Sequence, residues 1–277
     1  METVDEKYEK LKRFIEEKGK NGVVIAFSGG IDSSTLAAVS HNVLGAKVVA
    51  VTATSPTYTP EELEEAKAIT KEIGIRLIVV ETDELLDEDF VRNPENRCYY
   101  CKKELLKRLL EKAGELGFEA VFEGTNFSDL ADHRPGFKAV KELKRVYSPW
   151  FETGFMKEEI RRVAQRIGLS VKDKPANACL ASRIPFHERI TREKLKRIGL
   201  AEQIVRELTG IRQLRVRDHN GLARIEVKKD ERKRLCDVEI LDEIASKLKA
   251  LGFKFVTIDA EGYRTGSMLK TLEDKKS

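Results

Sequence analysis

Four short apolar runs, separated by stretches of helical periodicity, constrain this chain more than any other feature. Residues 23–27, 47–54, 76–81 and 119–123 are rich in β-branched side chains and bounded by turn residues, the pattern of strands buried on both faces. Between them, Thr59-Pro60-Glu61-Glu62 reads as a helix start. Thr59 serves as N-cap, Pro60 takes the first helical position and Glu62 closes a capping box. That helix ends near Gly74, and another runs from about Tyr99 to Leu116, apolar at Leu105, Leu106, Leu109 and Leu110. Strand–helix alternation of this kind predicts an α/β domain built on a mainly parallel, doubly wound sheet.

A further helix is expected over 157–167, stopped by Gly168. Residues 170–188 then lack clear periodicity and hold Pro175, Cys179 and Pro185. An irregular stretch of that length is functional or a linker, so the boundary is placed between domains 1–185 and 186–277. Beyond Thr191 the pattern changes to a helix (193–208), a hairpin whose strands (214–218 and 222–227) flank Asn220-Gly221, a helix (242–251) and a strand (253–259). This predicts a small C-terminal α+β domain, with residues 272–277 as a frayed tail.

No apolar run approaches the roughly 20 residues needed to span a bilayer, and the first twenty residues have no signal-peptide core. A cytoplasmic protein is expected. The net charge is +4. Its basic residues concentrate in 141–145, 161–166, 192–197 and 212–224, where neighbouring glutamates favour solvated helix faces over a nucleic-acid footprint.

Ser28-Gly29-Gly30-Ile31-Asp32-Ser33-Ser34 follows the first apolar run and opens a helix. Two glycines let the backbone turn sharply and approach a ligand, and helix-start N–H groups then face an anion. Ser28, Ser33 and Ser34 add hydroxyl donors. Neither G-x-x-x-x-G-K-[ST] nor G-x-G-x-x-G is present, which excludes those phosphate and dinucleotide motifs. Residues 52–56 and the string Glu123-Gly124-Thr125-Asn126, with Asp129 after it, fall at strand carboxyl ends, where such sheets bind nucleotide.

The string S-G-G-I-D-S-S resembles the pyrophosphate-binding loop of the PP-loop, or N-type, ATP pyrophosphatases, which include asparagine and GMP synthetases and tRNA thiolases. The resemblance implies ATP, Mg2+ and an adenylylated intermediate. Ser28, Gly29, Gly30, Asp32 and Ser33 would cradle pyrophosphate. Ala53 and Thr54 would border the adenosine, with Gly124 and Asn126 near the ribose and α-phosphate.

Four cysteines in such a chain do not suggest a disulfide framework. Cys98 and Cys101 form a C-x-x-C pair, Cys179 lies far along the chain, and Cys236 reads as a small buried hydrophobe. For the pair, a redox dithiol lacks its usual strand context. A structural zinc site lacks a fourth ligand, and three thiols suit a 4Fe–4S cluster with one open iron. Spacing alone leaves these alternatives standing.

The chain as a whole is similar to the LarE group of PP-loop sulfur transferases, through the S-G-G-x-D-S loop, E-G-T-N (123–126), C-L-A-S-R-I-P (179–185) and G-Y-R-T-G-S (262–267). That group adenylylates the carboxylates of pyridinium-3,5-biscarboxylic acid mononucleotide and replaces them with thiocarboxylates, on the way to a nickel-pincer cofactor. Some members sacrifice the sulfur of the cysteine matching Cys179, whereas others hold a cluster through three cysteines. Here the resemblance implies a 4Fe–4S cluster on Cys98, Cys101 and Cys179, whose open iron carries sulfide from an external donor. It also implies Cys179, Asp32 and Ser33 as catalytic residues, Arg183, Arg215, Arg217 and Arg264 as substrate-phosphate ligands, and a homo-oligomer, by likeness a hexamer. Arg215 and Arg217 alternate along one expected strand and so share a face, and from spacing alone they are equally well read as solvent-facing. A tRNA thiolase and a non-catalytic nucleotide or iron–sulfur sensor are the alternative readings.

Overall fold

The structure, a computed structural model, describes residues 2–131, 135–173, 178–264 and 267–269. Readings that fall on Pro175, Thr265, Gly266 or residues 272–277 lie outside these. In chain order the elements are α1 (Val4–Gly19), β1 (Val23–Ala26), α2 (Ile31–Leu44), β2 (Val48–Thr54), α3 (Pro60–Ile73), β3 (Arg76–Glu81), α4 (Glu88–Val91), α5 (Arg97–Glu115) and β4 (Ala120–Phe122). There follow α6 (Gly136–Glu142), β5 (Val146–Tyr147), α7 (Pro149–Glu152), α8 (Lys157–Arg166), α9 (Arg192–Thr209), β6 (Leu214–His219), β7 (Leu222–Val227), α10 (Val238–Ala250) and β8 (Phe255–Ile258). They divide into two compact units. The first comprises Met1–Ser55, Pro60–Glu84 and Asn96–Asn177, and the second Pro56–Thr59, Leu85–Glu95 and Ala178–Ser277.

The first unit carries a five-stranded sheet in the order β3-β2-β1-β4-β5, parallel throughout. Side chains alternate between the faces of a strand, and here both faces are apolar. Val23 and Ile25 of β1 join a core with Leu11 and Ile15 of α1, Leu36 and Val39 of α2, and Ile160 and Val163 of α8. Val24, between them, joins Val49, Val51 and Val121 against Leu106, Leu109 and Ala113 of α5 and Val140 of α6. The predicted doubly wound α/β sheet is therefore present, with β5 as an edge strand of two residues that was not foreseen. The charged N-terminal stretch forms α1, started by a capping box between Thr3 and Glu6.

The second unit holds a three-stranded sheet, β6-β7-β8, antiparallel between β6 and β7 and parallel between β7 and β8. Asn220 and Gly221 both have positive φ (50° and 94°), as a two-residue primed turn requires. Leu214 and Val216 face a core shared with Ala201, Val205, Ile244 and Leu248, which places Arg215 and Arg217 on the opposite face. That face is covered: the two arginines are only 6% and 5% exposed, so they do not face solvent. Cys236, expected to be buried, is exposed. The buried residue of the short 3₁₀ turn before it is Leu235. Among the described residues no helix is long and apolar enough to cross a membrane.

Candidate functional site

Ser28, Gly29 and Gly30 join the carboxyl end of β1 to the first turn of α2. Gly29 has φ +66°, which a side chain resists, and a Cβ there would lie 3.4 Å from the backbone of Ala66. Gly30 precedes α2, which has no side-chain cap, the construction of a helix start that receives an anion. The loop is cross-linked by its own hydroxyls. Ser33 Oγ donates to Gly30 O at 3.2 Å and lies 3.1 Å from Ser28 Oγ, while the Ser28 amide donates to Ser33 Oγ at 3.2 Å. Ser34 is fully buried in α2 and so is not a donor at the loop surface.

Asp32 collects groups from three other elements of the unit. Lys157, the first residue of α8, pairs its Nζ with Asp32 Oδ2. Asn126, just after β4, places Nδ2 3.5 Å from Oδ1. Trp150 of α7 donates its indole N–H to the Asp32 carbonyl at 3.0 Å. The Lys157 backbone is fixed in turn, its amide donating to Ser128 Oγ at 2.9 Å. Gly124 closes against the loop, since a Cβ on it would sit 3.2 Å from both Asp32 Cβ and Ser33 N. Thr54 ends β2, with its carbonyl accepting from Thr82 N at 3.0 Å, and Ala53 beside it is half-buried. Loop, Gly124 and Asn126 thus meet at strand carboxyl ends, where sheets of this kind bind nucleotide.

Lys157 was not picked out from the sequence. One signal could have found it: a lysine at the first position of a helix opposes the helix dipole, which favours acidic residues there.

Glu123 supports this floor. Its carboxylate is 1% exposed and accepts from Lys102 Nζ and Thr125 Oγ1, each at 2.8 Å, and from Ser148 Oγ. Burial acts to raise its pKa, but Lys102 and the two hydroxyls outweigh burial and hold it below the ordinary value. A carboxylate depressed in the fold contributes stability above its unfolded pKa of about 4.3 and loses it as pH falls through the folded value. Glu123→Gln is therefore expected to lower unfolding free energy at pH 7 by about 3–5 kcal/mol, because Lys102 loses its buried partner. Urea titrations should show that gap closing below about pH 4, and a gap independent of pH would contradict this account of Glu123.

The cysteines are not joined in disulfides. Cys98 is exposed and Cys101 half-buried, both in the first turns of α5, which begins two residues earlier than expected and so puts the pair at a helix start. Cys101 Sγ lies 3.9 Å from Oε1 of the buried Glu84. Among the described residues no three His, Cys, Asp or Glu side chains gather into a metal-binding group.

In the second unit, Cys179 is half-exposed immediately before the 3₁₀ turn Leu180–Arg183. Asn93 secures the far end of this string by donating to the carbonyls of Ile184, Pro185 and Glu188 at 3.3, 2.7 and 3.0 Å. Arg183 and Arg217 enter buried ion pairs, with Glu202 at 2.8 Å and Glu226 at 2.7 Å. Arg264 pairs with Glu261 and lies 3.8 Å from Asp259. Arg215 has no carboxylate within ion-pair distance among the described residues, and its guanidinium lies 5.4 Å from the Tyr263 ring centroid. Burial, with the Arg183 charge nearby, lowers its pKa from the usual arginine value. Glu202 and Glu226, each at most 4% exposed, were not picked out from the sequence.

Comparison with known proteins gives the family. The NAD synthase family matches residues 3–98, the segment carrying the loop. A pyridinium-3,5-bisthiocarboxylic acid mononucleotide synthase of Lactiplantibacillus plantarum is 36% identical over 90% of both chains. An uncharacterised protein of Synechocystis sp. is 43% identical over 97% of this chain and 99% of its own. An NH3-dependent NAD+ synthetase of Pyrococcus horikoshii is 37% identical over a shorter stretch, 33% of this chain and 35% of its own. With its loop, strand-end residues and near full-length identity to the synthase, the chain belongs to the LarE family of PP-loop enzymes and is an ATP-using, adenylylating sulfurtransferase.

Proposed function

We propose that the enzyme adenylylates the carboxylates of pyridinium-3,5-biscarboxylic acid mononucleotide and converts them to thiocarboxylates, for nickel-pincer cofactor biosynthesis. The observation that carries the reading is the loop at the start of α2, with Asp32 and Lys157 paired on it, in a chain similar over 90% of its length to a synthase named for the bisthiocarboxylated product.

A substrate carboxylate oxygen attacks the α-phosphorus of ATP, the bond to the β-phosphate oxygen breaks, and pyrophosphate leaves. The residues act on this step by position and charge. The uncapped first turn of α2 and the Ser28 and Ser33 hydroxyls receive the leaving pyrophosphate, and Lys157 offsets its charge. Asp32 offers the hard oxygen that would hold Mg2+, and the ion would supply positive charge to the phosphates. Asn126 is positioned for the α-phosphate side, and Ala53 and Thr54 for the adenosine. A sulfur nucleophile then attacks the acyl carbonyl, AMP departs and the thiocarboxylate remains. Arg215, the buried guanidinium without a carboxylate partner among the described residues, is the arginine offered to the substrate's phosphate.

For sulfur delivery we propose the three thiols of Cys98, Cys101 and Cys179 as ligands of the group that carries the sulfur. As a donor set they suit a 4Fe–4S cluster with one iron unligated by protein, where an externally supplied sulfide would be the nucleophile. By the same likeness the working form is a cytoplasmic homo-oligomer. Iron and acid-labile sulfide, assayed on protein purified without oxygen, test this. About four irons per chain, lost in each of Cys98→Ala, Cys101→Ala and Cys179→Ala, are expected. No iron even after reconstitution would overturn the cluster and make Cys179 itself the sulfur donor, recognisable by loss of its sulfur in a mass spectrum.

A further inference from the structure

Two of the arginines assigned by resemblance to the substrate's phosphate are turned toward protein acceptors instead. Arg183 is 3% exposed. Its Nε and Nη2 donate to the two oxygens of Glu202 at 2.8 and 3.1 Å. Its Nη1 reaches back to the carbonyls of Ala178 and Cys179, at 2.5 and 3.0 Å, and to Ser182 Oγ at 2.9 Å. Glu202, on α9, also accepts the Val216 amide of β6 at 3.1 Å. Arg217 repeats the arrangement one strand position on. Its Nε and Nη2 donate to Glu226 Oε2 at 3.1 and 2.7 Å, its Nη2 to Ser267 Oγ at 3.0 Å and its Nη1 to the Ser182 carbonyl at 2.8 Å. Ser267 Oγ closes the ring by donating to Glu226 Oε1 at 3.2 Å.

The consequence falls on Cys179. The peptide before its Cα is held through the Ala178 carbonyl. The peptide after it is held through the Cys179 carbonyl, which also accepts from Ser182 N at 3.0 Å, and through Leu180 N, which donates to Thr57 O at 2.9 Å. With both peptide planes tied, the backbone dihedrals of Cys179 are set and its side-chain torsion is the freedom that remains to the half-exposed thiol. Planar guanidinium forks suit this task, since one group reaches a carboxylate with one edge and two carbonyls with the other.

We infer that the Arg183–Glu202 and Arg217–Glu226 pairs form a brace that positions Cys179, making Glu202 and Glu226 positioning residues for sulfur transfer. Arg183 and Arg217 then act through the cysteine loop, and Arg215 is left for the anionic substrate. The inference rests on Cys179 serving the sulfur step, whether as cluster ligand or as donor. It does not touch adenylylation, which belongs to the loop of the first unit. A reacting atom displaced by about 1 Å costs on the order of 100-fold in rate, so loss of the brace should appear in one half-reaction only.

The test uses the full chain, purified without oxygen, as the parent, Glu202→Gln and Glu226→Gln, with urea melts to establish which variants are folded. With sulfide present, the first-turnover rates of pyrophosphate release and of thiocarboxylate formation are followed separately against the concentration of the dicarboxylate mononucleotide. The expected result in a folded variant is unchanged pyrophosphate release and unchanged KM, with thiocarboxylate formation slowed about 10- to 100-fold. The two variants alter separate ion pairs, so one that folds suffices. A raised KM in the pyrophosphate assay would make the arginines substrate ligands and overturn the brace, as would two unaltered rates. A parent that forms no thiocarboxylate would defeat the functional reading, and this inference with it, before any variant is compared.

Discussion

Lys157→Ala is expected to slow pyrophosphate release from ATP by about 100- to 1,000-fold, the cost of deleting one well-placed charge-stabilising donor. Lys157 meets Asp32 Oδ2 at the start of α2, and its backbone is anchored by Ser128, so the ammonium is held in place before ATP arrives. Removing it also sets the Asp32 carboxylate beside an incoming polyanion without that ammonium between them, so the KM for ATP should rise as well. Lys157→Arg keeps the charge and should recover part of the rate, whereas Lys157→Gln should not. Steady-state pyrophosphate release is the measurement, and an alanine variant as fast as the parent would remove Lys157 from the phosphate site.

Cys179→Ala is expected to abolish thiocarboxylate formation while leaving the adenylylation half-reaction in place. The loop, Asp32, Asn126 and Lys157 belong to the first unit and Cys179 to the second, so the two chemical steps are assigned to separate sets of residues. In a single turnover the variant should release pyrophosphate as fast as the parent and then stop, the acyl-adenylate having no sulfur to meet. Both sulfur routes give this result, and Cys98→Ala and Cys101→Ala separate them. A cluster loses sulfur transfer in all three variants, but a sacrificial Cys179 needs neither of the other thiols. Undiminished thiocarboxylate formation by Cys179→Ala would overturn both routes.

The strands β1 to β4 were legible because continuous β-branched runs have few other uses in a chain of this charge. The loop was legible because its glycines and serines are contiguous. By contrast β5, with only Val146 and Tyr147, is too short to show a period. Lys157 lies 125 residues from Asp32, and only the sheet brings them together. Glu202 and Glu226 were not picked out, since a glutamate on a helix or a strand carries no sequence sign of burial. They are buried because Arg183 and Arg217 supply the charge that makes burial tolerable. The alternation of Arg215 and Arg217 correctly gave one shared face, but it did not reveal whether that face was covered. Cys236 was misread because free cysteines are usually buried, whereas its turn buries Leu235 instead.

The most direct test of the central claim is a single-turnover reaction of the oxygen-free enzyme with ATP, Mg2+, sulfide and pyridinium-3,5-biscarboxylic acid mononucleotide. AMP, pyrophosphate and the mass of the mononucleotide product are read from the same samples. The account predicts AMP and pyrophosphate in equal amounts, matched to carboxylates in which one oxygen has been exchanged for sulfur. ADP with inorganic phosphate, or AMP with no sulfur in the product, would contradict it.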